Sequence, residues 1–310
     1  MGVSNRFGLY GVQVGAAGTL LGGITRQAIR LDSTVRNEPR SGDVYTRFQS
    51  LVAQKPGASF STEHIARAID LISQTGYDLA TETTGLILYS QKAKSGGTRY
   101  STAVHFKDQI KSGILALRRL SGQHQGDFSL DCEAVAGWNG ADNPIVRTYD
   151  ITAPTAATDT ERFTLGKITV GGIAITHFRN MDLDFGLEIK SEGSESELWD
   201  KFVFIESIKP VLTVRGINPL WFKESGGIPL LGLNGTHANT AIFLRKRAAG
   251  GTFVADATAE HISVIGQGYI TIDTPMDTGG GEAAECSLKM EFYHDGTNAP
   301  LLIDTTAAIV

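Results

Sequence analysis

Histidine, cysteine, serine and aspartate are the residue types of this chain that could carry out chemistry, and their spacing decides whether they do. The chain has seven histidines, but none shows the His-x-x-x-His spacing that places two imidazoles beside one metal. No Gly-x-Ser-x-Gly sequence presents a serine as a nucleophile. His105 and His261 lie near equivalent points of the chain and are interpreted as strand residues rather than ligands.

Glycine-rich and acidic segments supply two further candidates. The segments 8–11 and 15–18 begin and end in glycine, but they lack the strand–turn–helix context of a phosphate-binding loop, so we interpret them as hairpin turns. Four aspartates lie in turn-like contexts: Asp142, Asp150, Asp273 and Asp277. A pair of carboxylates on a β scaffold, acting as a hydrolase, stays an alternative. The sequence favours a protein that is not an enzyme and that binds no metal or cofactor.

The most informative pattern is a long internal repeat. Several blocks recur after 154 residues. They are Gly96-Gly97-Thr98 with Gly250-Gly251-Thr252, Lys55-Pro56 with Lys209-Pro210, Cys132 with Cys286, and Asp150-Ile151-Thr152 with Asp304-Thr305-Thr306. Near the start the spacing shortens, and Leu21–Ile24 matches Val170–Ile173. This pattern predicts two tandem modules, residues 1–153 and 154–310, with an internal duplication offset of about 154 and a small-residue linker near the boundary.

Composition limits the class of protein. Hydrophobic residues make up 41% and charged residues 20%, so each half can bury a core. The formal net charge is −5, which disfavours a general nucleic-acid binder. No run approaches the roughly 20 apolar residues of a membrane span, and the start lacks a signal core, so we expect a cytoplasmic chain without membrane contact. The two cysteines are expected to be separately buried thiols.

Strand signals dominate both halves. Short apolar or alternating runs predict strands at 85–90, 103–106, 113–117 and 128–135, with counterparts at 240–245, 261–265, 268–272 and 286–292. One helix is predicted where Ile65, Ala68, Ile69 and Ile72 form an apolar stripe, begun by Ser61 or Thr62 and ended by Gly76. A shorter helix is predicted after Asn218 in the second half. The predicted fold is mainly β with one helix per module.

A polar excursion in each half predicts a projecting hairpin or loop. Residues 29–44 carry balanced charge, whereas residues 181–198 sum to −5. Solvation of an exposed loop and docking on a neighbouring subunit are equally favoured readings. In the docking reading the contact residues are Arg36, Arg40, Leu187, Glu188, Ile189, Glu192, Glu195 and Glu197.

A basic turn recurs in both halves and is the predicted counterpart of the acidic arm. It comprises Lys92 and Lys94 in the first half and Arg245, Lys246 and Arg247 in the second. Phosphate binding and an ordinary exposed turn are alternatives. Because the turn occurs twice, we favour a contact between subunits.

The start of the chain resembles a known family. Phe7-Gly8-Leu9-Tyr10-Gly11-Val12, followed by Leu21–Ile24, a polar arm, the segment 55–60 and then a helix, is similar to the layout of major tail tube proteins of long-tailed, siphovirus-like bacteriophages. The resemblance covers most of each half. It implies β-sandwich or part-barrel modules that form rings, usually of six modules, whose inner sheets join into a β-barrel.

The resemblance also implies function and partners. Rings of this family stack into a tube through which DNA passes without specific binding, and the tube contacts other tail proteins. A duplicated chain implies three copies per ring with pseudo-sixfold symmetry, in a virion tail assembled in the host cytoplasm. A distal tail or baseplate adaptor of the same fold is the alternative. A carbohydrate-binding β-sandwich is a less favoured one, because Trp138, Trp199 and Trp221 are scattered.

Overall fold

The computed structural model describes residues 6–15, 20–39, 41, 45–81, 84–94, 100–158, 161–193, 197–223, 225–230, 236–278 and 284–309. Antiparallel strands account for most of the described chain, which confirms the predicted mainly β class. Alternation of apolar and polar residues explains why these segments form strands with one buried face. In Ser129–Ala136, for example, every second side chain is buried.

The first half contains twelve strands and the one α-helix of the described chain. They are β1 (Phe7–Val14), β2 (Leu20–Leu21), β3 (Ile24–Arg30), β4 (Ser33–Pro39), β5 (Thr46–Gln54), β6 (Gly57–Thr62), α1 (Ile65–Ile72), β7 (Tyr77–Asp78), β8 (Leu86–Lys92), β9 (His105–Ile110), β10 (Gly113–Gln123), β11 (Ser129–Ala136) and β12 (Val146–Ile151). A short 3-10 turn covers Leu79–Thr81.

The second half contains ten strands. They are β13 (Glu161–Val170), β14 (Ile173–Ile175), β15 (Phe178–Asp184), β16 (Leu187–Glu192), β17 (Phe202–Ile208), β18 (Val211–Gly216), β19 (Thr236–Ala248), β20 (His261–Asp277), β21 (Glu285–Phe292) and β22 (Leu301–Ala307). The two strands predicted at 261–265 and 268–272 form one long strand, β20.

Two large sheets and two separate hairpins contain these strands. The five-stranded sheet has the order β12-β9-β8-β1-β2. The 13-stranded sheet runs β14-β13-β19-β20-β21-β18-β15-β10-β11-β6-β3, with β22 on β20 and β7 on β10. Hairpins β4–β5 and β16–β17 stand apart. Neither large sheet returns on itself within the described ranges, so the barrel named among the expectations is not closed in one chain.

The two halves use the same strand pairings. In the first half β1 pairs with β2 and β8, β9 pairs with β8 and β12, β6 pairs with β3 and β11, and β10 pairs with β11. In the second half β13 pairs with β14 and β19, β20 with β19, β22 and β21, and β18 with β15 and β21. Long β20 takes the places of both β9 and β10. The predicted boundary at residue 153 lies in a stretch, 152–158, without strands.

The spacing between matching residues is not constant, and this corrects the prediction that Cys132 matches Cys286. Cys132 lies opposite Phe60 on β6, whereas Cys286 lies opposite Gly216 on β18. Gly216 occupies the place of Thr62, so the cysteines are two residues out of register. Loop lengths differ between the halves and shift the spacing from 154 to 156. Both thiols are buried and free, and burial raises the pKa of each.

The predicted match of Leu21–Ile24 with Val170–Ile173 is also wrong. Leu21 pairs with Val12 in β1, but Val170 itself belongs to β13, the strand that takes the place of β1. Ile175, which pairs with Ile168, is the true counterpart of Leu21. Glycines at a turn misled the comparison because Gly-Gly occurs at several turns.

Helix α1 buries the predicted stripe of Ile65, Ala68, Ile69 and Ile72. Its bounds differ from the prediction. The helix begins after His64, while the Thr62 hydroxyl accepts the His64 N–H at 3.1 Å. It ends at Ile72 because Ser73 adopts φ 66°, before Gly76 is reached.

The predicted second helix is only a 3-10 turn, Pro219–Trp221. Asn218 caps it as expected, accepting the Leu220 N–H at 3.2 Å. The turn stops there because the segment has no second apolar position one helical turn further on. Trp221 is buried and donates its indole N–H to Thr176 O at 2.6 Å instead. One helix per module is therefore incorrect.

Candidate assembly site

A ladder between β10 and β15 joins the two halves edge to edge. Arg119 to Gln123 pair with Asp184 to Asn180 in antiparallel register. Leu120 and Leu183, which face each other in this ladder, are fully buried. A single chain therefore already contains one lateral contact between two units with the same strand pairings.

Opposite charges line this ladder. The Arg119 guanidinium donates to both carboxylate oxygens of Asp182, and this hydrogen bond raises the pKa of Arg119. Arg118 donates from Nε to Glu133 at 2.5 Å and from Nη1 to the backbone oxygen of Leu187. Burial lowers the pKa of Arg118, and Asp184 opposes that effect. Charge-assisted bonds of this kind fix register as well as adding free energy.

These junction residues were missed in the sequence. The available signal was Arg118-Arg119 in one strand and Asp182-x-Asp184 in another, because charges that alternate with or follow apolar residues in a strand need partners. Sequence alone does not say that these strands are neighbours.

The predicted polar excursions form two hairpins, here called the first arm (β4–β5) and the second arm (β16–β17). The second arm packs over the first half. A Cβ on Gly76 would lie 2.8 Å from the Ile205 methyl, and one on Gly137 would lie 3.1 Å from a Val203 methyl. Only glycine gives the arm this close approach.

The loop of the second arm is tied to the first half as well. Trp199 donates its indole N–H to Gln54 Oε1 at 3.1 Å, and Gln54 N–H donates to Leu198 O at 2.9 Å. The Trp199 ring lies 6.0 Å from the Trp138 ring. These tryptophans fill an internal contact, and Trp221 is buried, which gives no support to an exposed carbohydrate platform.

The first arm has no such cover within the described part of the chain. Val35 is 52% exposed, Leu51 43%, Phe48 56% and Tyr45 79%. In the second arm the residues that take the places of Val35 and Leu51 are Ile189 and Ile205, and both pack against the core. Val35 and Leu51 are thus open where Ile189 and Ile205 are covered, whereas Phe202 of the second arm, 57% exposed, is as open as Phe48 of the first.

The residues predicted to make the second arm dock elsewhere divide into two groups. Leu187 lies in the core of its own chain, so it is not available to a neighbour as predicted, and Ile189 is half-buried against that core. Glu188 and Glu192 are exposed, and Glu188 accepts from the Ser207 hydroxyl at 3.1 Å. Glu197 lies 4.0 Å from Lys201.

Two predicted contact residues, Arg40 and Glu195, lie outside the described residues. On the first arm, Arg36 pairs with Glu38 at 2.5 Å and is largely exposed.

The basic turn of the second half has acidic partners in its own chain. Arg245 lies 2.9 Å from Asp256, Lys246 lies 3.1 Å from both Glu161 and Glu260, and Arg247 pairs with Asp127. These side chains therefore have acidic partners without another subunit, and their contact with a neighbour stays a prediction. In the first half, Lys94 lies 5.2 Å from the Tyr100 ring centre and Lys92 ends strand β8.

His105 and His261 are buried structural residues in matching places. His105 Nδ1 accepts the Lys92 N–H at 3.0 Å, and His261 Nδ1 accepts the Lys246 N–H at 3.0 Å. Each Nε2 lies 3.0 Å from a backbone oxygen, of Tyr100 or of Ala255. His105 thereby closes the loop after β8, and His261 closes the matching loop after β19.

No group of three His, Cys, Asp or Glu side chains in the described ranges is arranged to hold a metal ion. Among the same residues no helix is long and apolar enough to cross a membrane. Comparison of the chain with protein-family models and with curated protein sequences finds no match.

Proposed function

We propose that this chain is a structural protein that assembles with copies of itself into rings, and that the rings stack into the tail tube of a long-tailed bacteriophage. The observation that carries the proposal is the β10–β15 ladder between two halves with the same strand pairings. A chain built in this way can continue the same lateral contact into the next copy.

The resemblance of the opening segment to tail tube proteins supplies the identity of the polymer. An acidic chain, with a net charge of −5, suits a conduit because weak attraction to phosphates lets DNA pass. In this proposal three copies supply six modules per ring, and other tail proteins cap the tube.

Negative-stain electron microscopy of the purified protein tests the proposal, together with mass measurement of the smallest closed assembly. Stacked tubes built from rings of three chains are the expected result. Single rings that never stack would favour the adaptor alternative. Monomers at all concentrations would overturn self-assembly.

A further inference from the structure

Two of the open strand edges lie at opposite ends of the run β20-β21-β18-β15-β10-β11-β6-β3. Strand β3 pairs only with β6 in the described part of the chain. Beyond Tyr269, the described residues of β20 pair only with β21. Open edges carry unpaired backbone groups and are templates for pairing with another chain.

These edges correspond to the two strands that meet at the junction inside the chain. Strand β3 takes the place of β15, since Ile24–Arg30 pairs with β6 in the register in which Phe178–Asp184 pairs with β18, including the same bulge. The end of β20 takes the place of β10. Gly113 lies opposite Ala136 and Gly268 opposite Phe292, and both strands bulge four residues later.

The register places individual residues. Thr274 lies opposite Ser287 as Arg119 lies opposite Asp131, so Thr274 takes the place of Arg119. Asp277 lies opposite Glu285 as Ser121 lies opposite Ser129, and so takes the place of Ser121.

We propose that the end of β20 in one copy pairs antiparallel with β3 of a second copy, with Asp277 opposite Ala28 and Thr274 opposite Arg30. This contact repeats between copies the β10–β15 ladder within the chain, except that β20 has a second bulge, between Thr274 and Asp277, which β10 lacks. It rests on the proposed self-assembly and adds the two edges and their register.

Charge complementarity supports the pairing. Compared with the junction inside the chain, the positive and negative charges change strands. Inside the chain, β10 contributes arginine and β15 contributes aspartate. Between copies, β20 contributes Asp277, which in this register lies between Arg26 and Arg30 on the neighbouring strand, within reach of diagonal pairs. Arg30 already contacts Glu133, but Arg26 has no ion pair within the described ranges. Pro275 lies at the bulge between Thr274 and Asp277, a position at which an edge strand tolerates proline.

Apolar exposure supports the same contact from a second direction. At the junction inside the chain, Ile205 of the second arm lies over Gly76 beside Ile114. The register puts Tyr269 in the place of Ile114 and Tyr293 in the place of Gly137, and these tyrosines are 46% and 41% exposed. The exposed Val35 and Leu51 of a second copy's first arm would cover them.

The contact is heterologous because each copy offers two different edges. Such contacts close into a ring or continue as a helical filament, depending on the rotation between copies. Three copies would give the closed ring of the proposed function.

Disulfide trapping tests the register. Opposite residues in an antiparallel ladder have Cα atoms about 4.5–5.5 Å apart, within the span of a disulfide. Oxidised A28C/D277C protein should give covalent dimers and trimers on a non-reducing gel. S121C/D182C, the matching pair inside the chain, is the positive control and should stay monomeric in mass. A28C/T271C should not cross-link. Native Cys132 and Cys286 are buried, so we expect them to form no cross-links of their own.

Charge reversal provides a second measurement. Arg26→Glu and Asp277→Arg should each raise the protein concentration needed for assembly by about tenfold or more, and the double variant should recover part of this loss. Lys107→Glu is the control. It changes the charge by the same amount and sign as Arg26→Glu, but it lies on the five-stranded sheet, so this variant should assemble like the parent.

The outcomes separate this contact from the tube. A cross-link without tubes would support the proposed contact and contradict the proposed tube. If tubes form without the cross-link, and S121C/D182C oxidises normally, the proposed contact is wrong and the proposed tube stands. Single reversal variants that assemble like the parent also overturn it.

Discussion

Arg119 and Asp182 form a two-point ion pair between strands that belong to different halves of the chain. The pair lies beside the buried Leu120 and Leu183, so charge fixes the register and apolar burial supplies most of the free energy.

Replacing Arg119 by alanine should lower the free energy of unfolding by about 0.5–1 kcal/mol, because the side chain is more than half exposed and water screens the pair. Urea denaturation measures this change. Arg36→Ala, which breaks the exposed Arg36–Glu38 pair on the first arm, should cost less. Equal losses in both variants would show that the junction pair contributes no more to stability than an exposed pair on the first arm.

Replacing His261 by alanine should destabilise the protein by about 1–3 kcal/mol, because the part-buried Lys246 N–H and Ala255 O lose their partner. His105→Ala should cost a similar amount, since it makes matching contacts. Thermal and urea unfolding measure both. His124→Ala, at an exposed side chain, is the control. A loss below that of His124→Ala would contradict the structural role.

Gly186→Ala should destabilise the base of the second arm by roughly 1–3 kcal/mol. Gly186 has φ 61°, and a Cβ there would lie 1.9 Å from Lys209 O. Gly172→Ala separates the two causes, because Gly172 has φ 82° but an added Cβ would meet nothing within 4 Å. We expect the smaller loss at Gly172. Equal losses would mean that the contact with Lys209 relaxes freely.

Asp295 should stay ionised to low pH. Hydrogen bonds from the Asn298 backbone, the Asn298 side chain and the Thr297 backbone lower its pKa from 3.8 to about 2. Because the folded-state pKa is depressed, its contribution is present above pH 3.8 and is lost as the pH falls through about 2. An NMR titration of the carboxyl carbon measures the midpoint. Asn298→Ala should move it up, and an unchanged midpoint would contradict this cause.

Replacing Glu188, Glu192, Glu195 and Glu197 by glutamine should weaken ring stacking and reduce its salt sensitivity, while the monomer fold stays intact. Exposed ion pairs contribute only ~0.2–1 kcal/mol each, so the charges set partner choice more than strength. Electron microscopy across salt concentrations measures stacking, and circular dichroism checks the fold. Tubes that form under the parent's conditions would show that the arm serves solubility alone.

Local patterns predicted much of the fold. The apolar stripe of α1, the alternation in β11 and β21 and the polar hairpins all depend on neighbouring residues, which the sequence displays directly. The second helix was predicted wrongly because a cap at Asn218 starts a turn but does not extend it. Trp221 is instead buried and donates its indole N–H to Thr176 O.

The candidate site could be predicted only in part. The sequence located both arms. It did not show that Leu187 is buried in its own chain, or that Arg245, Lys246 and Arg247 have acidic partners within the chain. Which charges find partners depends on strands distant in sequence, such as Arg247 beside Asp127. The contact between Arg119 and Asp182 was invisible for the same reason.

The sequence by itself determined the class of fold and the presence of a repeated pattern, because a strand records its buried face in every second residue. Only the tertiary structure decided the register of the repeat. Cys132 and Cys286 differ by two positions from a true match, and a shift of two leaves each side chain on the same face. Both cysteines are therefore buried in either alignment, and only the strands opposite them, at Phe60 and Gly216, tell the two apart.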